Sequence, residues 1–238
     1  VSVINILEFQ LMNCTFTKNE AKGSTGGAIQ IQNVHVIFLK CNMFRNNSAL
    51  KVGGGITFDT IIRLEIGNSC FLHQFSSGSG GAVFVEGKYA SNSVNIYNVV
   101  FITNSAKFNG GALFLVSPHQ LRLKGSIFFC NTASQTAGAL FIISERSSNV
   151  SLSGLNFSRN HALEEASALY ITGISNIVMI NSKLAGLLNT TIRDIGNVKL
   201  ITVQSTRAYF NNIHFANLSQ IRVFLEIISN LLDFKRIR

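Results

Sequence analysis

The sequence predicts an all-β fold, a single-stranded right-handed parallel β-helix of about eight coils with 27–31 residues each. The first observation is a short repeated sequence motif, which we call the phrase. It is clearest at Phe101-Ile-Thr-Asn104-Ser-Ala106 and recurs at a nearly constant spacing. The second is a Gly-Gly-Ala segment that follows most copies of the phrase. The third is composition, with 47% hydrophobic residues, 13% charged residues and one proline. A fixed period of this size is typical of stacked units that bury their apolar faces only against their neighbours.

The lead residue of the phrase sets the period. The leads are Phe16, Phe44, Phe71, Phe101, Phe128 and Phe157, with Leu184 and Phe215 as weaker copies. Successive leads are separated by 28, 27, 30, 27, 29, 27 and 31 residues. Asparagine recurs three residues after the lead and alanine five residues after it, except for Gln74 and Ser76 in the third copy. We expect the rings to stack in the interior, asparagine to close a corner and alanine to fit where coils crowd together.

A strand is predicted before each lead residue. Apolar residues occupy the seventh and fifth positions before the lead, as in Ile37 and Leu39, and alternation with a period of two is typical of a half-buried strand. The third position before the lead is asparagine in five copies, at Asn13, Asn68, Asn98, Asn181 and Asn212. Asparagine accepts the left-handed backbone of a corner and can hydrogen-bond to its copy one coil away. This column of residues therefore predicts an asparagine ladder.

A third strand begins at each Gly-Gly-Ala segment. Alternate residues such as Val83 and Val85, or Leu113 and Leu115, share one face, which we assign to the core. Three strands per coil and ladders of like residues describe a solenoid of the pectin-lyase type, with coils stacked at about 4.8 Å. Longer excursions are expected where the spacing stretches, at residues 86–93, 117–120 and 144–149.

We interpret the chain as one continuous domain, with regular coils over residues 1–182 and degenerate coils over 183–238. In the degenerate part the Gly-Gly-Ala segment weakens to Gly196-Asn197-Val198. Four apolar residues further on have the spacing of an amphipathic helix: Ile221, Leu225, Ile228 and Leu232. A capping helix over the last coil, which is slightly favoured, and a truncated coil are the two alternatives. Because the chain opens inside a strand pattern without a signal peptide, we expect it to be a segment of a longer protein.

Charge and cysteine usage limit the classes of site. The formal net charge is +9, from 20 basic and 11 acidic residues. The excess of basic over acidic residues is largest toward the C-terminus. A solvated surface is the simplest explanation, and the alternative is contact with an anionic glycan, a membrane surface or nucleic acid. No sequence motif supports nucleic acid as a partner. Cysteines and histidines hold unrelated positions in the repeat, so we expect four free thiols, no metal cluster and no cofactor.

The tandem pairing of Phe-x-x-Asn-x-Ala with Gly-Gly-Ala-(Ile/Val/Leu) over residues 16–169 resembles the repeats of the chlamydial polymorphic outer membrane proteins. It is also similar to β-helical surface proteins of other microbes. The resemblance implies a secreted or surface-displayed passenger, often an adhesin, at the cell surface, in the outer membrane or outside the cell. Any membrane attachment is then expected to come from parts of the protein that are not in this chain.

The outward face of the Gly-Gly-Ala strands carries the candidate binding residues. Four aromatic residues in consecutive coils form what we call the aromatic stripe: Phe84, Phe114, Phe141 and Tyr170. Val116 and Ile143 lie two residues further along and widen it. An exposed apolar patch of this kind usually marks a contact surface, so a glycan or a surface protein of a host or neighbouring cell is the expected partner. The alternative is that the rings only stack on each other beneath loops or flanking parts of the same protein.

Asp59 and Glu86 are the only enzymatic candidates. They should be neighbours on adjacent coils, near the separation of about 5 Å of a retaining glycosidase pair. A solvated strand end is the simpler explanation, because the acidic residues are otherwise dispersed. The sequence therefore favours a non-enzymatic adhesin, passenger or rigid stalk. The alternative is a polysaccharide lyase, a glycoside hydrolase or a carbohydrate-binding module on the same fold.

Overall fold

The computed structural model describes residues 1–89, 91–185, 199–216 and 224–237. Every regular element in these ranges is a β-strand, and every pair of neighbouring strands is parallel. Each strand pairs with the equivalent strand of the neighbouring coil, on both sides in the middle of the stack and on one side at its ends. The chain is thus a parallel β-helix, which confirms the predicted fold class.

One set of short strands holds the lead residues at its centre, and we call these the lead strands. They are Thr15–Thr17, Met43–Arg45, Cys70–Leu72, Val100–Ile102, Ile127–Phe129, Asn156–Ser158 and Lys183–Ala185. Lead residue pairs with lead residue through the whole series, and Leu184 pairs with Phe215. The weaker copies of the phrase are therefore genuine coils, and the eight leads stack in seven steps.

A second set of strands is long and contains both the Gly-Gly-Ala continuation and the strand before the next lead. These are Ser2–Met12, Ile29–Lys40, Ile56–Gly67, Leu169–Ile180, Lys199–Ala216 and Phe224–Ile237. In three middle coils the long strand is divided into Val83–Glu86 and Ser93–Tyr97, Leu113–Val116 and Gln120–Lys124, and Leu140–Ile143 and Asn149–Ser153. The described residues of the dividing segments, 87–89 with 91–92, 117–119 and 144–148, lie within the predicted excursions.

A third set of two-residue strands completes each coil and forms a separate six-stranded sheet. Its strands are Glu20–Ala21, Ser48–Ala49, Phe75–Ser76, Ser105–Ala106, Thr132–Ala133 and His161–Ala162. The alanine five residues after the lead is the second residue of each strand, apart from Ser76. Most of these small residues are buried, as the crowding argument predicts.

The lead phenylalanines form a continuous stack in the interior. Successive ring centroids from Phe16 to Phe157 lie 4.7–5.3 Å apart, with interplanar angles of 4–11°. From Phe44 onward these rings are fully buried. Aromatic pairs add stabilisation of about 0.5–1.5 kcal/mol each beyond the area that they bury. The interior position predicted for the lead residue is confirmed.

The asparagine three residues after the lead lies at a corner, as predicted, but it does more than close the turn. In six coils this residue is Asn19, Asn47, Gln74, Asn104, Asn131 or Asn160, and all except Asn19 are at most 3% exposed. Asn104 is typical: its Nδ2 donates to Asn131 Oδ1 at 2.9 Å and to the carbonyl oxygen of Phe71 at 3.0 Å. The column is a buried polar ladder that ties each coil to the next, which we call the inner ladder.

The ladder predicted three residues before the lead is also present. All eight positions adopt the left-handed backbone, with φ of 49–61°, including the exceptions Cys41, Gly125 and Gly154. Side-chain hydrogen bonds form where two asparagines are adjacent, from Asn98 to Asn68 and from Asn212 to Asn181. These side chains are exposed, so this outer ladder is continuous in backbone conformation but not in hydrogen bonding.

The two glycines of the Gly-Gly-Ala segment have different constraints. The first has a positive φ of 61–66° at Gly26, Gly53, Gly80 and Gly110, yet Ala137 and Ala166 take this position in later coils with φ of 57° and 52°. The second lies where coils approach most closely. A Cβ added at Gly111 would collide with the carbonyl oxygen of Gly138 in the next coil, and the preceding coils repeat this contact. Ser167 holds the second position in the sixth coil.

The predicted C-terminal helix is wrong. Residues Phe224–Ile237 form a strand that pairs in parallel with Lys199–Ala216, with Leu225 opposite Ile201 and Leu232 opposite Ala208. The spacing of these apolar residues also fits a helix, and it is the pairing with the preceding coil that makes this segment a strand. Ile221 and Gly196-Asn197-Val198 lie outside the described residues.

The four cysteines Cys14, Cys41, Cys70 and Cys130 are free thiols, as predicted. Burial raises the pKa of the Cys70 and Cys130 thiols above the ordinary value. A raised pKa reduces the thiolate fraction at neutral pH, so these two side chains are poor nucleophiles.

Candidate functional site

The aromatic stripe forms as predicted, because the coil register places its members side by side. Phe84 pairs with Phe114, Phe114 with Phe141, and Phe141 with Tyr170. Their ring centroids are 5.4, 4.7 and 4.8 Å apart, with interplanar angles of 4°, 12° and 16°. The four rings therefore form a second continuous stack, on the outside of the coils.

The stripe is half-buried and not freely exposed. Phe141 is only 8% exposed, and Phe84, Phe114 and Tyr170 are partly exposed. Since nearly parallel rings cover each other's faces, the stripe presents ring edges to its surroundings. Sequence reasoning predicted the column of aromatic residues but not this loss of accessible ring face.

A second row of outward side chains runs beside the stripe. In the four coils it contains Glu86, Val116, Ile143 and Thr172, all partly exposed. Thr172 donates a hydrogen bond from Oγ1 to Gln204 Oε1 at 3.0 Å. The middle of the surface is therefore apolar in two adjacent rows, and polar groups lie at both ends.

The three dividing loops follow this second row and are linked to one another. Buried Asn92 donates to the carbonyl oxygen of Ser117 at 3.1 Å and accepts from the backbone N–H of His119 at 2.8 Å. His119 Nδ1 lies 3.1 Å from the carbonyl oxygen of Ser147. Arg146 reaches across the middle loop and donates to the carbonyl oxygen of Lys88 at 2.8 Å. The loops thus form one connected edge to the stripe, which we call the linked loops.

Asp59 and Glu86 are neighbours in register, as predicted, but both form ion pairs with the same lysine. Lys88 Nζ lies 2.8 Å from Asp59 Oδ1 and 3.6 Å from Glu86 Oε2. Its hydrogen bond to Asp59 holds the pKa of Lys88 above the ordinary value, against partial burial. Thr60 also donates to Asp59 at 2.7 Å. Sequence reasoning missed Lys88, because it lies in a dividing loop that carries no periodic signal.

Substitution of Lys88 by methionine is expected to leave two adjacent carboxylates without their shared cation. The repulsion between the two carboxylates would then be uncompensated, so the folded state should be destabilised. We expect a stability loss below about 1 kcal/mol at low ionic strength, since the groups are partly solvated. The loss should shrink in about 1 M salt, which screens the repulsion. Urea unfolding at both salt concentrations measures this, with Lys107→Met as the matched exposed control. An equal loss at both salt concentrations would contradict the assignment.

Comparison of the chain with protein-family models, with curated proteins and with solved structures found no match. Within the described ranges no three His, Cys, Asp or Glu side chains group in a way that could hold a metal ion. The same ranges contain no helix with the length and hydropathy of a membrane span.

Proposed function

We propose that this chain is a non-enzymatic β-helical segment of a cell-surface or secreted protein, an adhesin or passenger that presents the aromatic stripe and the linked loops to a macromolecular partner. The observation that carries the proposal is the stripe itself. Six outward apolar or aromatic side chains are contiguous across four coils: Phe84, Phe114, Phe141, Tyr170, Val116 and Ile143. Contiguous patches of this kind on soluble proteins usually mark contact surfaces.

The supporting framework is stiff, which suits presentation of a surface. The inner ladder and the buried phenylalanine stack connect each coil to the next without interruption from Phe16 to Asn160. Fully satisfied buried polar networks rigidify the structure that contains them. A stiff rod can also separate two other parts of a protein, so a stalk function is compatible with the same framework.

The geometry of the stripe favours a protein partner over a glycan. Sugar rings pack on exposed aromatic faces, and the faces of Phe114 and Phe141 are covered by their neighbours. The edges of the rings and the side chains of Val116 and Ile143 form an apolar surface, and polar groups lie at both ends of it. This distribution resembles the apolar core and polar rim of protein interfaces.

The test is binding to host or neighbouring cells and to a glycan array, with the Phe114→Ser/Phe141→Ser double variant beside the wild-type chain. We expect cell binding to fall at least about tenfold in the variant, because central apolar contacts carry most of the energy of an interface. Binding should persist at high salt. The control is Phe108→Ser, which removes a phenylalanine that is 48% exposed outside the stripe. Unchanged binding by a folded double variant would overturn the proposal.

A polysaccharide-active enzyme or carbohydrate-binding module is the second candidate, favoured by the adjacency of Asp59 and Glu86. The shared ion pairs with Lys88 argue against general acid–base chemistry, which needs one protonated and one free carboxyl group. A hydrolysis screen on acidic, neutral and amino polysaccharides is expected to show no activity above that of the Asp59→Asn/Glu86→Gln variant. Activity that this variant lacks would instead establish the enzyme.

A further inference from the structure

A second outward surface, separate from the aromatic stripe, lies on the lead strands. We call it the lead-strand face, and it consists of the residues directly before and after each lead together with the following corner residue. Its centre is apolar in three consecutive coils, at Cys70, Leu72, Val100, Ile102, Ile127 and Phe129. Met43 extends it into the coil before. Ile127 and Met43 are 40% and 41% exposed, and the other members are partly exposed.

Cations surround this apolar centre. Exposed Arg45 and Lys18 lie toward the first coil, and exposed Arg159 and Lys183 lie on the other side. The guanidinium of Arg159 lies 5.7 Å from the centre of the Phe129 ring, so this charge is held against the apolar group. In the described part of the chain, no position of the lead-strand face is Asp or Glu. Arg45 and Arg159 are four coils apart, about 19 Å along the rod.

The chemistry of the face limits what can bind it. The six central side chains have no strong hydrogen-bonding group, and the backbone beneath them is paired within the parallel sheet. The polar members of these three coils, His73 and Thr103, are exposed at the corner that borders the centre. Protein interfaces of ordinary size carry about one direct hydrogen bond per 100–200 Å², which this centre cannot supply. A second copy of the chain would bring the same cations against these cations. A lipid surface needs no directional partner, and it combines apolar groups with anionic phosphates.

We propose that the lead-strand face binds the surface of an anionic lipid bilayer. Its flat apolar centre meets the boundary between headgroups and acyl chains, and Arg45, Arg159 and Lys183 contact lipid phosphates. Contact through the chain itself differs from the expectation that membrane attachment lies only in other parts of the protein. The proposal does not depend on the function proposed for the aromatic stripe, because the two surfaces use different strands.

The first test is co-sedimentation with phosphatidylcholine vesicles that contain or lack about one third phosphatidylserine. We expect binding to the anionic vesicles and little to the neutral ones. The Arg45→Glu/Arg159→Glu variant should bind at least about 25-fold more weakly, since each cation near an anionic surface contributes about a factor of five. The matched control is Lys51→Glu/Lys107→Glu, which changes the net charge equally at exposed positions outside the face. No binding by the wild-type chain, or equal losses in the two variants, would overturn the proposal.

The apolar contribution needs its own measurement, because charge alone can attract a basic protein to these vesicles. The chain contains no tryptophan, so Ile127→Trp provides a single tryptophan, which can be excited selectively over tyrosine, at the centre of the face. Its emission should shift to shorter wavelength on anionic vesicles and be quenched by lipids brominated on the acyl chain. Phe108→Trp, outside the face, should show neither effect. Binding without quenching at position 127 would show electrostatic adsorption only and would overturn the proposal. Thermal unfolding of each variant confirms that it is folded.

Discussion

Alanine at Gly111 is expected to destabilise the chain by about 3 kcal/mol, although it adds only one methyl group. The added Cβ would overlap the carbonyl oxygen of Gly138 in the next coil and backbone atoms of Thr132. These are backbone groups held by hydrogen bonds between coils, so they cannot move aside as a flexible side chain would. The overlap can be removed only if the two coils move apart locally. Urea unfolding monitored by circular dichroism measures the effect.

The neighbouring residue provides the matched control for this prediction. Gly110→Ala places the same methyl group one position earlier, where the backbone is left-handed with φ of 61°. The added Cβ would lie 2.6 Å from the carbonyl oxygen of Leu113, a contact within the same coil. Because Ala137 and Ala166 already occupy equivalent positions, this turn can adjust to a methyl group, and the cost should be close to that of a left-handed alanine, about 1–2 kcal/mol. Gly23→Ala, whose Cβ would meet no atom within 4 Å, should be close to neutral. Equal losses at Gly110 and Gly111 would show that backbone conformation, and not coil spacing, selects these glycines.

Replacement of Asn131 by alanine should also cost about 3 kcal/mol. Asn131 Oδ1 accepts from the backbone N–H of Asn104 at 3.0 Å and from its Nδ2 at 2.9 Å. Asn131 Nδ2 donates to the carbonyl oxygen of Phe101 and to Asn160 Oδ1, both at 3.0 Å. Alanine would break all four bonds and leave buried polar groups of both neighbouring coils without partners. Each unsatisfied buried group costs about 1–3 kcal/mol.

Asn95→Ala is the control for the inner ladder. Asn95 lies on an outward row of a long strand and is partly exposed, so its loss should cost less than about 0.5 kcal/mol. The same urea experiment compares the two variants. If Asn131→Ala and Asn95→Ala unfolded at the same urea concentration, the buried ladder would not be a major source of stability.

The periodic part of the fold could be predicted because each coil repeats the same physical requirements. Leu184 was identified as a lead by spacing alone, and its pairing with Phe215 confirms it. The role of the inner ladder was predicted less well. Position in the repeat fixes where Asn104 and Asn131 lie, but not whether a corner side chain turns inward, because that depends on the three-dimensional path of the corner.

The errors occurred where the repeat decays or is interrupted. The spacing of Leu225, Ile228 and Leu232 fits a helix, and only pairing with the preceding coil shows that these residues belong to a strand. Lys88 was missed for a related reason, since an inserted loop has no counterpart in other coils. The alignment of the four rings in the aromatic stripe could be predicted from the register of the coils. Their partial burial could not, because it results from stacking between coils and the sequence pattern of one strand carries no information about it.

The corner that holds the linked loops has a consequence for engineering. Seven residue steps separate Ile56 from Arg63, but ten separate their partners Val83 and Ser93 in the next coil. The three additional residues leave the pairing unchanged on both sides. Where no loop is inserted, a single left-handed residue such as Asn33 or Thr60 makes the turn. Foreign peptide segments grafted at this corner would therefore be displayed at intervals of about 4.8 Å along the rod, while the coils beneath them keep their packing.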